Sequence, residues 1–163
     1  MTYCKQIPLP ILDTVNIDKI MLIYNNAGKL WDTRYNHEAW KSIDLINDKG
    51  YTPWMRQFSE INNWVNALHR YTGIKQISNM YISILAAKNQ IPWHSDLTTD
   101  IFAPTILTSI QTENSFLEFE EGKYVYKHGY SYLLRTYNKH RIMNLSNNLR
   151  ITLCTTPKEN PYV

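Results

Sequence analysis

Apolar residues along this chain keep two different periods. Between Thr52 and Gly73, the residues Trp54, Phe58, Ile61, Trp64, Val65, Leu68 and Tyr71 recur every three or four positions. That spacing gathers them on one face of a helix. Thr52 suits the N-cap, Pro53 the first helical position and Gly73 a left-handed C-cap, so a helix is predicted over about 53–72. Elsewhere the apolar residues fall in short runs that read as strands. Two precede the helix, at 18–24 (DKIMLIY) and 39–46 (AWKSIDLI), with a turn predicted at NNAG, 25–28. After Gly73 the strands expected are 76–87, 105–111, 115–120, 123–126, 130–135, 140–145 and 149–155. Turn signals separate them: KNQ at 88–90, TEN at 112–114, EEG at 120–122, HG at 128–129 and SNN at 146–148.

Many short strands after a helical segment predict a mostly β chain with an N-terminal α segment. The expected architecture is a double-stranded β-helix, a jelly-roll or cupin-like barrel buttressed by one or two helices. Residues 18–72 would form the buttress and 77–155 the barrel core of a single domain, 1–163.

Composition narrows the partners. The 163 residues suffice for a real core, and 44% hydrophobic with 19% charged residues is ordinary for a globular protein. Net charge is +3, with no block of like charges, which argues against a nucleic-acid partner. Cys4 and Cys154 are too few and too far apart for a disulfide framework, which fits a reducing cytoplasm. No stretch reads as a membrane span or signal peptide. Oligomeric state is not encoded in any pattern here.

The candidate chemistry lies in the strand-rich half. His94 and Asp96, in IPWHSD, are two residues apart, so an extended backbone turns both side chains to one face. His140, in YNKHRIMN, opens a later strand that a barrel can bring beside them. Two imidazoles and one carboxylate on one face of an ion suit Fe(II) and leave positions open opposite. Arg150 follows in NNLRITLC. If Ile151 and Leu153 face the outer packing layer, then Arg150 and Thr152 face the pocket, and Cys154, in the same phase, reads as a small buried hydrophobe. A guanidinium inside a barrel is costly without an anion, and it grips a carboxylate with two parallel hydrogen bonds.

With IPWHSD at 91–96, KHRIMN at 139–144 and RITL at 150–153, the chain resembles the 2-oxoglutarate- and Fe(II)-dependent oxygenases. Within them it is most similar to the aspartyl/asparaginyl β-hydroxylase and free-proline hydroxylase branch. The resemblance implies that His94, Asp96 and His140 hold iron. It implies that Arg150 pairs with the distal carboxylate of 2-oxoglutarate, with Thr152 assisting, and that Ser83 touches the cosubstrate. It implies a dioxygenase that uses O₂, with ascorbate in support. The enzyme would hydroxylate an unactivated C–H of an amino acid or of a peptide or protein side chain and release succinate and CO₂. Two departures stand out. Asp96 is present where the aspartyl hydroxylase type lacks that carboxylate, and IFAPT at 101–105 stands where that type carries Arg-x-His.

Two other functions compete. One is a non-catalytic cupin-like metal-binding module. The other is a nucleic-acid base oxygenase of the same superfamily, for which KHGYSYLLRTYNKHR at 127–141 offers a mild basic, aromatic stripe. Among remaining candidates, Trp93 is expected in the core beside the first ligand and Tyr81 as an ordinary buried tyrosine. Arg141 should point outward. Arg34 is read as a surface residue in a polar loop, and His37, His69 and His128 lack partners at ligand spacing.

Overall fold

The alternation of β12 (Arg150–Pro157) organises the molecule, because its two faces serve two different layers. The computed structural model describes residues 3–26, 32–33, 39–96 and 105–158. In chain order β12 is preceded by β1 (Cys4–Ile7), α1 (Ile17–Asn26), β2 (Asp32–Thr33), β3 (Trp40–Asn47) and β4 (Gly50–Tyr51). A 3₁₀ helix (Pro53–Gln57) and α2 (Ser59–Thr72) follow, then β5 (Ile77–Leu85), β6 (Gln90–His94), β7 (Thr105–Gln111) and β8 (Ser115–Phe119). β9 (Gly122–Tyr124), β10 (Ser131–Leu134) and β11 (His140–Asn144) complete the set.

The strands form two antiparallel sheets. The larger runs β1-β10-β7-β12-β5-β3-β2, with β4 paired to β3; the smaller runs β6-β11-β8-β9. Two apolar layers result. On one face of the large sheet Ile43, Ile82, Ile84, Ile151 and Leu153 pack with Phe58, Ile61, Trp64, Val65 and Leu68. Between the sheets lie Trp40, Leu85, Ile91, Leu107, Leu117, Phe119, Leu134 and Ile142. This is the expected jelly-roll barrel, buttressed by two helices on its larger sheet. Asn144 ties the sheets together: its side-chain amide donates to the carbonyls of Leu85, Ala86 and Asn148, and its oxygen accepts from Ser146.

Several expectations change. Residues 18–24 are not a strand but lie within α1. Asn16 caps this helix by accepting the Lys19 N–H at 3.0 Å, and Asp18 sits in the first turn. Ile17, Ile20, Ile23 and Tyr24 then form a helical stripe against the core. Asn25 and Asn26, expected in a turn, complete the helix; Ala27 and Gly28 lie outside the described residues.

The helix predicted over 53–72 is broken. Pro53–Gln57 is 3₁₀, Phe58 leaves helical geometry (φ −126°, ψ 74°), and α2 begins at Ser59. Thr52 does not cap with its side chain but donates to the Asp44 carbonyl at 2.6 Å, tying the turn to β3. The Phe58 ring keeps the apolar period and is fully buried, while its backbone leaves the helix. Tyr71 falls off the apolar face and is 71% exposed. Gly73 closes α2 at φ 71°, donating to the His69 carbonyl at 3.1 Å. Strands β1, β2, β4 and β6 were not expected. β6 carries Pro92, which an edge strand tolerates.

Candidate metal and cosubstrate site

The first feature of the site is a strand pairing. His94 ends β6 and His140 begins β11, and the two are direct Cα partners across the ladder. Their rings lie 4.3 Å apart between centroids. Asp96 sits just past β6, where its backbone N–H donates to the Thr136 carbonyl at 2.9 Å. Its carboxylate also accepts from the Thr136 hydroxyl. One donor atom from each of His94, Asp96 and His140 falls within 4.8 Å of the others, and among the described residues this is the one such cluster. Small side-chain rotations bring such donors to the roughly 2 Å distances of a transition metal.

Both imidazoles are oriented by backbone. His94 Nδ1 lies 2.7 Å from the Pro92 carbonyl and His140 Nδ1 2.8 Å from that of Asn138. A carbonyl only accepts, so each Nδ1 carries the proton and each Nε2 keeps a lone pair to offer a metal. Burial opposes charge on His94. The Asp96 carboxylate, 3.4 Å from Nε2, and the Pro92 carbonyl outweigh it and raise that pKa. At Asp96 burial works upward, but the hydrogen bonds and charges of His94, His140 and Thr136 hold the carboxyl below its usual range. His140, only 3% exposed, is lowered by burial against the pull of Asn138 and Asp96.

A cavity of about 240 Å³ runs inward from this cluster. That is smaller than the roughly 300–1,000 Å³ of drug-sized ligand sites, so it suits a small molecule at depth. Arg150, 1% exposed, lines it together with Thr152, Cys154, Ser83 and Tyr81. Among the described residues Arg150 Nε and Nη2 have no hydrogen-bond partner, and burial lowers the guanidinium's pKa. Two orphaned donors on a buried cation are a strong demand for an anion. Three nitrogen and oxygen ligands beside a carboxylate-sized, positively charged cavity fit iron and a dicarboxylic cosubstrate.

His94, Asp96, His140, Arg150, Thr152 and Ser83 are therefore brought to one cavity. Other expectations shift. Tyr81 lines the cavity because it shares the phase of Ser83. Trp93 is not core: it is 38% exposed, with the Arg141 guanidinium 5.1 Å from its ring, and Arg141 also donates to Glu118. His69 and His128 each use Nδ1 on a backbone carbonyl, Ile74 and Ile110 respectively. Arg34, His37 and residues 101–104 of IFAPT lie outside the described residues. The sequence reading missed Trp40 and Thr136. Neither stands at a motif position, and their partners Ser83 and Asp96 are distant in sequence.

A family model described as Aspartyl/Asparaginyl beta-hydroxylase matches residues 19–158. Solved structures share the fold at low identity. An oxidoreductase of the 2OG-Fe(II) oxygenase family from Burkholderia pseudomallei is 9% identical, over 97% of this chain and 85% of that one, with a TM-score of 0.60. A Pseudomonas putida prolyl-4-hydroxylase is 9% identical over 95% and 91%, with a TM-score of 0.57. The viral collagen prolyl hydroxylase of Paramecium Bursaria Chlorella virus-1, in its 2OG complex, is 10% identical over 95% of both chains, with a TM-score of 0.55. No curated protein matches the chain.

Proposed function

The chain belongs to the aspartyl/asparaginyl β-hydroxylase family and is a 2-oxoglutarate-dependent hydroxylase; from that premise we propose that His94, Asp96 and His140 hold its iron and that Arg150 anchors the cosubstrate. Iron with 2-oxoglutarate and O₂ supplies oxidative decarboxylation to succinate and CO₂, coupled to hydroxylation of an unactivated C–H. The protein's part is to bind, orient and exclude water. Arg150 grips the distal carboxylate through Nε and Nη2 with Thr152 beside it, and Ser83 donates a further hydrogen bond. The apolar wall of Leu117, Leu134 and Ile142 keeps the cavity dry. The C–H held closest to the metal is the one oxidised.

The substrate is an amino acid or a peptide or protein side chain. Support comes from the family description and from the two prolyl hydroxylases that share the fold. Ascorbate supports turnover by keeping the metal reduced. The protein acts as a single domain in the cytoplasm. Two free, buried cysteines fit that compartment, and no described helix is long and apolar enough to cross a membrane.

The observation that carries this reading is the pair of guanidinium nitrogens of Arg150, Nε and Nη2, left without partners among the described residues in the cavity. A barrel that merely bound a metal would have no use for it. The test is succinate formation with Fe(II), 2-oxoglutarate and ascorbate, run against free amino acids and short peptides and read by the mass gain of one oxygen atom. Turnover is expected in the wild type and absent in His140→Ala. Undiminished turnover in His140→Ala would sink the assignment.

A further inference from the structure

Resting on that reading of Ser83 and Arg150, we infer that Trp40 is a positioning residue for cosubstrate binding, committing the Ser83 hydroxyl to donate into the cavity. Trp40 Nε1 lies 2.8 Å from Ser83 Oγ in a buried contact. An indole N–H has a hydrogen and no lone pair to offer, so it only donates. The Ser83 oxygen is therefore the acceptor, and its own hydrogen must find another partner. Among the described residues that indole is the hydroxyl's one hydrogen-bond partner. Ser83 is 3% exposed, so its unmet donor is costly unless a ligand accepts it.

The register says where that ligand lies. Ser83 pairs with Thr152 across β5 and β12, and the next pair on the same face, two residues along, is Leu85 with Arg150. Ser83, Thr152 and Arg150 all line the metal cavity. The orphaned nitrogens of Arg150 draw an anion to this wall, and a carboxylate oxygen is the acceptor that Ser83 lacks. Trp40 also reaches the metal side: its ring stands 6.2 Å from the His94 imidazole, tilted by 48°. One indole thus packs near a metal ligand while orienting a cosubstrate donor. Without it the Ser83 oxygen would be free to act as an acceptor, presenting a lone pair to the incoming anion.

The test measures 2-oxoglutarate binding to the Mn(II)-loaded protein by thermal shift, alongside steady-state kinetics with Fe(II). Trp40→Phe is expected to weaken 2-oxoglutarate binding about tenfold, the size of one hydrogen bond to a charged group, and to leave Mn(II) affinity as it was. The kinetic change should fall on KM for 2-oxoglutarate rather than on kcat. Ser83→Ala should lose as much, Ser83→Thr should keep binding, and the Trp40→Phe/Ser83→Ala double variant should be no worse than Ser83→Ala. Unchanged binding in Trp40→Phe, or losses that add, overturns the inference. A wild type that 2-oxoglutarate does not stabilise at all overturns the functional reading beneath it, which is a different result.

If Trp40→Phe does not fold, the wild type with Zn(II) and ¹⁵N-labelled indoles answers the same question. The indole resonance displaced by Ser83→Ala belongs to Trp40, and it should move again on adding 2-oxoglutarate. A resonance that 2-oxoglutarate leaves in place overturns the inference.

Discussion

Ile151 and Leu153 look out of β12 toward the helices, while Arg150, Thr152 and Cys154 look into the barrel from the same strand. The two faces are equally buried and serve opposite ends. The outer face meets Phe58, Ile61, Val65 and Leu68 and holds the helices to the sheet. Burial of that kind contributes roughly 25 cal/mol per Å² of apolar area. The inner face carries a guanidinium with two unmet donors and hydroxyls along a cavity, which cost stability in the absence of a ligand. A strand of eight residues thus holds the fold together on one side and keeps unsatisfied binding capacity on the other.

Arg150→Met breaks the comparison hardest. It removes the charge and keeps the bulk, so 2-oxoglutarate affinity should fall by up to about 5 kcal/mol. The ligand-free thermal midpoint should hold or rise, since a buried cation is exchanged for an apolar chain. A ligand-free protein that unfolds more easily would show that the inner face also carries stability. Leu153→Ala is the mirror experiment. Denaturant unfolding should register a loss of about 3 kcal/mol, with 2-oxoglutarate affinity retained in the folded fraction.

Thr136→Val sharpens the inner side. It strips the hydroxyl from the Asp96 carboxylate and leaves the backbone bond in place, so Mn(II) affinity measured by calorimetry should drop about 10–100-fold. An unaltered affinity would mean that the backbone bond alone positions Asp96. The smallest expected effect tests the outer face. Thr155 shares the phase of Ile151 and Leu153, is fully buried and has no partner for Oγ1 among the described residues. Thr155→Val should therefore stabilise the protein by about 1 kcal/mol in urea melts; a loss would reveal a hidden partner for that hydroxyl.

The difference between the faces also decided what could be read from the sequence. Alternation at 150–154 and the H-x-D spacing are local, so the inward phase of Arg150 and the approach of His94 to Asp96 were legible from residue order. The approach of His140 was legible only as a consequence of the barrel. DKIMLIY was misread because an unbroken apolar run fits a buried strand and a buried helix equally well; the deciding signal was the Asn16 cap two residues before it. The break at Phe58 was hidden because its ring matched the helical period while the backbone turned away. Trp40 with Ser83 and Thr136 with Asp96 are long-range pairs, about 40 residues apart, set by sheet register. No local pattern announces them.

The orientation of the two histidines has a consequence for how freely this site can drift or be redesigned. Each ring is held by a main-chain carbonyl two residues earlier, from Pro92 and from Asn138. A carbonyl is present whatever side chain its residue carries. Substitution at positions 92 and 138 therefore leaves the aiming device intact so long as the strand ends keep their path. Many metal centres depend on a partner carboxylate that one point mutation can delete. At the proposed site that dependence falls, among the described residues, on Asp96 and Thr136, while the imidazoles are held by the backbone. Library design around the cavity can accordingly vary 92 and 138 to reshape the approach to the proposed metal site at little risk to the two rings.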